Sequence, residues 1–225
     1  LSFRDPKAID SAVSGGKGSS LARLSGTGFT VPEGFIVPAE ASDRWFGRAD
    51  DIRPLLAGLP LNDPASLEAA CAEIQARLAA LPVPEELEEA IAGLLGKHPY
   101  PHWAVRSSAT TEDLAQAAFA GQHETFLGCR PEQVAPRVRD CWLSLWSGRA
   151  VDYRLRAGFG LKAASMAVVV QRLVDSETAG VGFSLKPVSG RTDQLVFDAS
   201  YGLGESVVSG EVDVDHYILN RGDLT

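Results

Sequence analysis

WAVRSSATTEDLAQAAFAGQHETFL, residues 103–127, opens with a short apolar strand, Trp103-Ala104-Val105, which runs straight into Arg106. Five small or hydroxylated residues follow, Ser107 to Thr111, and Glu124 to Leu127 reads as a second strand. An arginine at a strand end, ahead of a hydroxyl-rich turn, suits a polyanion. Guanidinium presents a planar fork of donors with a permanent charge, and each hydroxyl adds a rotatable donor. Glu112 and Asp113 come next, so the segment is not simply a basic patch. Such a mixture fits phosphate together with a metal ion. The same residues also read as a strand, a Ser/Thr turn and a capped helix.

Working outward, Ser14-Gly15-Gly16-Lys17-Gly18-Ser19-Ser20 predicts a flexible loop leading into a short helix with Leu21 and Leu24 on one face. FTVPEGFIV, residues 29–37, predicts an extended segment with a Pro-Glu-Gly turn. Two scaffold helices follow. One has Asp63 as N-cap and Pro64 at the first position, and the other begins after Pro84 with Leu87, Ile91, Leu94 and Leu95 at helical spacing. A further helix is expected from about Pro131 to Trp146, with Pro136 making its start irregular. Strand-like runs at 166–174, 181–184, 195–198 and 217–219 are separated by Gly, Pro, Ser or Asp turns. The expectation is a mixed α/β (α+β) fold with a first lobe over 1–170 and a second, sheet-rich lobe beginning near Gln171, incomplete at Thr225.

The bulk numbers bound the function. With 225 residues, 45% hydrophobic and 22% charged, the chain has the composition of an ordinary globular protein. A net charge of −8 argues against a general nucleic-acid binder, and the arginines between 137 and 156 read as a solvated helical face. Cys71, Cys129 and Cys141 form no C-x-x-C and leave an odd one out, so reduced thiols in a cytoplasmic protein are expected. The four histidines show no metal-ligand spacing. No apolar run is long enough to cross a bilayer, so no membrane partner is expected.

Four other stretches carry candidate chemistry. Lys17 stands among glycines and serines, which let backbone amides approach phosphate oxygens. The Walker A pattern is not met, because Gly18 follows the lysine, and GGKG by itself also reads as a flexible turn. Gly121 in FAGQHET allows close backbone approach, Thr125 offers a hydroxyl, and His123 stands alone in a polar turn. Gln171 interrupts the apolar run VVVQRLV near the lobe boundary, where an adenine can lie between backbone polar groups and apolar walls, although an ordinary strand fits equally. ASYGLGE, 199–205, is a glycine-hinged loop with a carboxylate that fails the dinucleotide fingerprint at Val207.

Taken together, GGKGSSL at 15–21, VPEGF at 31–35, AVRSSATTEDL at 104–114, FAGQHETFLG at 119–128, AGVGFSLKPVSG at 179–190 and ASYGLGESVVSGEV at 199–212 resemble, in order, one family. It is the amino-terminal nucleotide-binding domain of phosphoenolpyruvate synthase and pyruvate phosphate dikinase, a module that rifampicin phosphotransferase shares. The resemblance covers nearly the whole chain and is weakest over 40–98. It implies an ATP-grasp-like fold with ATP between two lobes. It further implies Lys17 and Arg106 on the ATP phosphates as the catalytic cations, Gly121 and Thr125 in the phosphate-side loop, and Gln171 beside the adenine. The implied cofactors are ATP and Mg²⁺. The implied chemistry passes a phosphoryl or pyrophosphoryl group to a histidine on a separate phosphohistidine domain, by positioning and charge neutralisation.

This chain departs from the family pattern at Lys186-Pro187, where a D-P pair is usual, and at His123, where a glutamine is common. The family's metal ligands and its T-x-G-G-x-x-x-H histidine have no counterpart in these 225 residues. The expectation is therefore the ATP-binding portion of a phosphotransferase that does not complete a catalytic cycle alone. A non-catalytic docking or regulatory module that keeps the fold is the rival reading.

Overall fold

Val168-Val169-Val170 lies at the middle of the main sheet, in a strand buried at every position but its last. The structure is a computed structural model that describes residues 1–49, 52–60, 63–110, 124–158, 165–187 and 189–223. It divides into two compact units, Leu1–Leu173 and Val174–Thr225.

In the first unit, a 3-10 turn, Pro6–Ile9, leads into helix α1 (Ser11–Gly26), strand β1 (Gly34–Val37) and helices α2 (Ala39–Phe46), α3 (Arg53–Ala57), α4 (Pro64–Ala79) and α5 (Glu85–Lys97). Strands β2 (Trp103–Ala109) and β3 (Thr125–Cys129), helices α6 (Pro131–Ser144) and α7 (Gly148–Arg156) and strand β4 (Met166–Arg172) follow. The sheet order is β1-β4-β2-β3, and every pairing is antiparallel. Antiparallel sheets beside helices make the architecture α+β.

Side-chain alternation gives this sheet two unlike faces. On one, Phe35, Val37, Trp103, Val105, Val168 and Val170 join the large core. Helix α4 meets that core with Leu67, Cys71, Ile74 and Leu78, and α6 with Val134, Val138, Cys141 and Trp142, both at helical spacing. Asp63 caps α4 as its sequence predicts, accepting from the Ser66 amide at 3.2 Å. Pro136 sits within α6 and does not interrupt it. The Arg130 amide donates to Gln133 Oε1 at 2.9 Å and the Gln133 amide donates to the Arg130 carbonyl at 2.9 Å, which anchors that helix's start. On the opposite face, Ile36, Ala167 and Val169 form a smaller cluster with Phe3, Ala8 and Ala22.

Helix α1 corrects one expectation. Ser14 to Ser20 is not a flexible loop but part of this helix, and Ser14, Gly15, Gly16, Gly18 and Ser19 are buried. Small residues here let the helix press onto the sheet; a β-carbon added at Gly18 would lie 3.2 Å from Ile36 Cδ1. Tertiary contact outweighs the low helix propensity of glycine.

The second unit contains strands β5 (Thr178–Phe183), β6 (Gln194–Tyr201) and β7 (Asp215–Asn220) in that order, all antiparallel, with helix α8 (Gly204–Ser209). The stretch expected as a glycine-hinged loop is therefore the end of β6, a turn at Gly202 and the start of α8. Val196 and Val207 are buried, whereas Tyr201, Val208 and Tyr217 stand exposed.

Candidate functional site

Strand register decides which expected site residues meet. Arg106 lies opposite Thr125 on β3 and opposite Val169 on β4, while Ala104 lies opposite Gln171. Residues directly opposed in an antiparallel pair share a face, as do residues two apart on one strand. Arg106, Thr125 and Gln171 therefore project from one face, that of the smaller cluster. Helix α1, which carries Lys17, covers part of the same face through Ala22 and the Gly18–Ile36 approach. Gly121, Glu112, Asp113 and His123 lie outside the described residues.

Arg106 is half-buried, and its Nη1 donates to Gln171 Oε1 at 3.5 Å, a long bond. Gln171 is only 6% exposed, and its Nε2 donates to the Pro32 carbonyl at 3.0 Å. This contact depends on Gly34, because a β-carbon there would lie 2.3 Å from the Val170 carbonyl oxygen. The Pro-Glu-Gly turn can thus fold over the end of β4 and hold the glutamine amide. One N–H and one lone pair of that amide have no partner in these two bonds. Thr125 is exposed.

The hydroxyl-rich turn behaves differently from its reading as a set of anion donors. Ser107 and Ser108 belong to β2, and their hydroxyls face backbone. Ser107 Oγ donates to the Glu124 carbonyl at 3.0 Å, and Thr110 Oγ1 donates to the Ser165 carbonyl at 3.2 Å. Ser108 Oγ donates to the Ser14 carbonyl at 2.8 Å and accepts from the Gly18 amide at 3.0 Å. These bonds tie the three hydroxyls to backbone groups. The contacts of Ser108 with Ser14 and Gly18 are not apparent from sequence, since the partners are ninety or more residues apart.

The surroundings are otherwise plain. At the edge of the site, Tyr100 Oη donates to Glu33 Oε2 at 2.6 Å and His98 Nδ1 lies 3.1 Å from the same oxygen. The Tyr100 hydrogen bond, followed by His98 and Arg172, holds the Glu33 carboxyl below its ordinary range. The three cysteines are free and buried, and burial pushes each thiol upward, which keeps them unreactive. A groove lined by Pro38, Arg44, Arg48, Pro82 and Glu86 shares no residue with the Arg106 face. Among the described residues no three His, Cys, Asp or Glu side chains stand together as a metal site, and no helix is long and apolar enough to cross a membrane.

Comparison with known proteins agrees with the motifs. Residues 11–225 match the family described as pyruvate phosphate dikinase, AMP/ATP-binding domain. A probable phosphoenolpyruvate synthase of Methanocaldococcus jannaschii is 41% identical over 225 residues, covering 96% of this chain and 19% of that protein. One from Methanothermobacter thermautotrophicus is 40% identical, covering 98% of this chain and 34% of its own length. A rifampicin phosphotransferase of Streptomyces sp is 39% identical, covering 100% of this chain and 26% of that protein. The chain thus spans between 19% and 34% of the length of these curated relatives. A match over almost every residue of the chain shows that it belongs to the AMP/ATP-binding domain family of pyruvate phosphate dikinase.

Proposed function

We propose that the chain holds ATP with its phosphates over the sheet face that bears Arg106, Thr125 and Gln171, beside the turn of α1 that carries Lys17. The observation that carries this reading is that residues 106, 125 and 171, from three separate strands, share one face, and that helix α1, which carries Lys17, packs on that same face. Gly15 has φ 68° and ψ 176°, so it breaks α1 and places Lys17 in the first turn of the segment that follows. A lysine there opposes the positive end of the helix dipole. A bound polyphosphate turns both charges into attraction.

In this reading Lys17 and Arg106 neutralise phosphate charge as transfer proceeds, Thr125 and Gly121 line the phosphate side, and Gln171 borders the adenine. Mg²⁺ would arrive with the phosphates and keep much of its water, as is usual for this ion. No residue of the chain is assigned to it. The finer fold is ATP-grasp-like, with residues 1–170 as a first lobe and 171–225 as the start of a second. In the whole protein the nucleotide would give a phosphoryl or pyrophosphoryl group to a histidine on a phosphohistidine domain. Three free cysteines fit a reducing, cytoplasmic setting.

A thermal-shift titration with ATP and Mg²⁺ tests the reading. Nucleotide at roughly one hundred times its Kd adds about 2.7 kcal/mol to the folded state. In a domain of this size that raises Tm by about 5–10 °C. An unchanged Tm at millimolar nucleotide sinks it.

A further inference from the structure

Ser108 is wholly buried, and its hydroxyl occupies an unusual place. In an unbroken α-helix the Gly18 amide would donate to the Ser14 carbonyl, four residues back. Here the Ser108 hydroxyl stands between them, accepting from Gly18 at 3.0 Å and donating to Ser14 at 2.8 Å. A side chain from another element is thus inserted into the hydrogen-bond ladder of α1, a recognised cause of sharp helix kinks. The kink falls at Gly15, inside the interrupted turn. A β-carbon at Gly15 would lie 2.1 Å from the Ser108 carbonyl oxygen and 2.3 Å from its hydroxyl, so the helix backbone rests directly on this serine. Ser14 is fixed from its other side, since its own hydroxyl donates to the Ala8 carbonyl at 2.6 Å.

We propose that Ser108 is a positioning residue for nucleotide phosphate: by wedging open the α1 ladder between Ser14 and Gly18, it sets where Lys17 stands relative to Arg106. This rests on the ATP reading above. Lys17 lies within the turn that the wedge opens, and Ser108 is two residues from Arg106 on the same face of β2. One strand therefore carries one phosphate cation itself and places the other through a hydroxyl. Ser108 does not touch the nucleotide. Removing its hydroxyl leaves the Gly18 amide and Ser14 carbonyl to pair directly, which straightens the turn and moves Lys17, or to remain unpaired in a buried site.

The test is a double-mutant cycle on ATP affinity, measured by calorimetry on the 225-residue chain. Ser108→Ala is expected to weaken ATP roughly tenfold in the otherwise unaltered chain and in the Arg106→Ala background. In the Lys17→Ala background, where there is no ammonium left to place, it is expected to change affinity by less than about twofold. A general loosening of the fold would weaken ATP equally in both backgrounds, and that result overturns the inference. So does unchanged affinity in Ser108→Ala while Lys17→Ala and Arg106→Ala each lose binding, an outcome that leaves the ATP reading standing. Full affinity in both of those single variants overturns the ATP reading itself, and the inference with it. If Ser108→Ala does not melt cooperatively, Ser108→Cys takes its place in the cycle, with the same outcomes required, because the thiol keeps a donor and an acceptor there and weakens both bonds.

Discussion

The two faces of the β1-β4-β2-β3 sheet are built from the same strands and carry different kinds of residue. On one, tryptophans and branched aliphatics interlock with α4 and α6. On the other, alanine, glycine and serine let α1 lie close, and Arg106 and Gln171 occupy the remainder of the face. Alternation along β2 makes the division sharp, because Trp103 and Val105 point one way while Ala104, Arg106 and Ser108 point the other. If the second face holds the nucleotide as proposed, stability and ligand binding should be separable, residue by residue, along a single strand.

The largest effect should come from the packed face. Trp142 is wholly buried, donates from Nε1 to the Met166 carbonyl at 3.1 Å and lies 5.4 Å from Trp45 between ring centroids. Trp142→Ala should cost about 3–5 kcal/mol of unfolding free energy by denaturant titration. The fraction that stays folded should keep its ATP affinity. Loss of that affinity would show that the faces are coupled.

Arg106→Ala should do the reverse. ATP affinity should fall by about 1.5–3 kcal/mol, on the order of ten- to a hundredfold by calorimetry, from loss of charged hydrogen bonds. The nucleotide-free Tm should stay within a few degrees of the starting value. A large Tm loss with affinity intact would make Arg106 a structural residue.

Gln171→Met sharpens the comparison within the site. It removes the amide that links Arg106 to the Pro32 carbonyl and keeps the volume. The expected loss is about 1 kcal/mol, near fivefold in ATP affinity. A loss equal to that of Arg106→Ala would mean that Gln171 holds the arginine rather than borders the base.

The smallest effect lies at the rim. Glu33 has its carboxyl held below its ordinary 4.5, first by Tyr100. A depressed carboxylate contributes stability that is present above the unfolded value and lost as pH falls through the folded one. Tyr100→Phe should therefore raise the Glu33 midpoint, followed by carbon-detected NMR, and reduce the stability lost below about pH 4.5. An unmoved midpoint would rule out the hydrogen bond as the cause.

Much of the scaffold is legible in the sequence. Asp63 as N-cap with Pro64 after it marks the start of α4, and the valine run marks β4. Arg106 stands out as a candidate because it follows an apolar strand ahead of a hydroxyl-rich turn, and Gln171 because it interrupts an apolar run. That they share a face depends on Ala104 lying opposite Gln171, and no pattern within either strand contains that register. GGKGSS is misread for a similar reason. Its composition argues for a loop, and only the approach of Ser108, from far along the chain, makes a kinked and buried helix of it. Local propensity is visible in one dimension, whereas the contact that overrides it is not.

All four tryptophans, Trp45, Trp103, Trp142 and Trp146, are buried within Leu1–Leu173, and Val174–Thr225 contains none. Intrinsic indole emission is consequently a one-sided reporter. It will follow melting of the packed core and stay silent if the last fifty or so residues open first. An emission curve with a single transition is thus no proof of two-state unfolding in this chain. Amide exchange across β5, β6 and β7, recorded beside the emission, would reveal whether the two units come apart together.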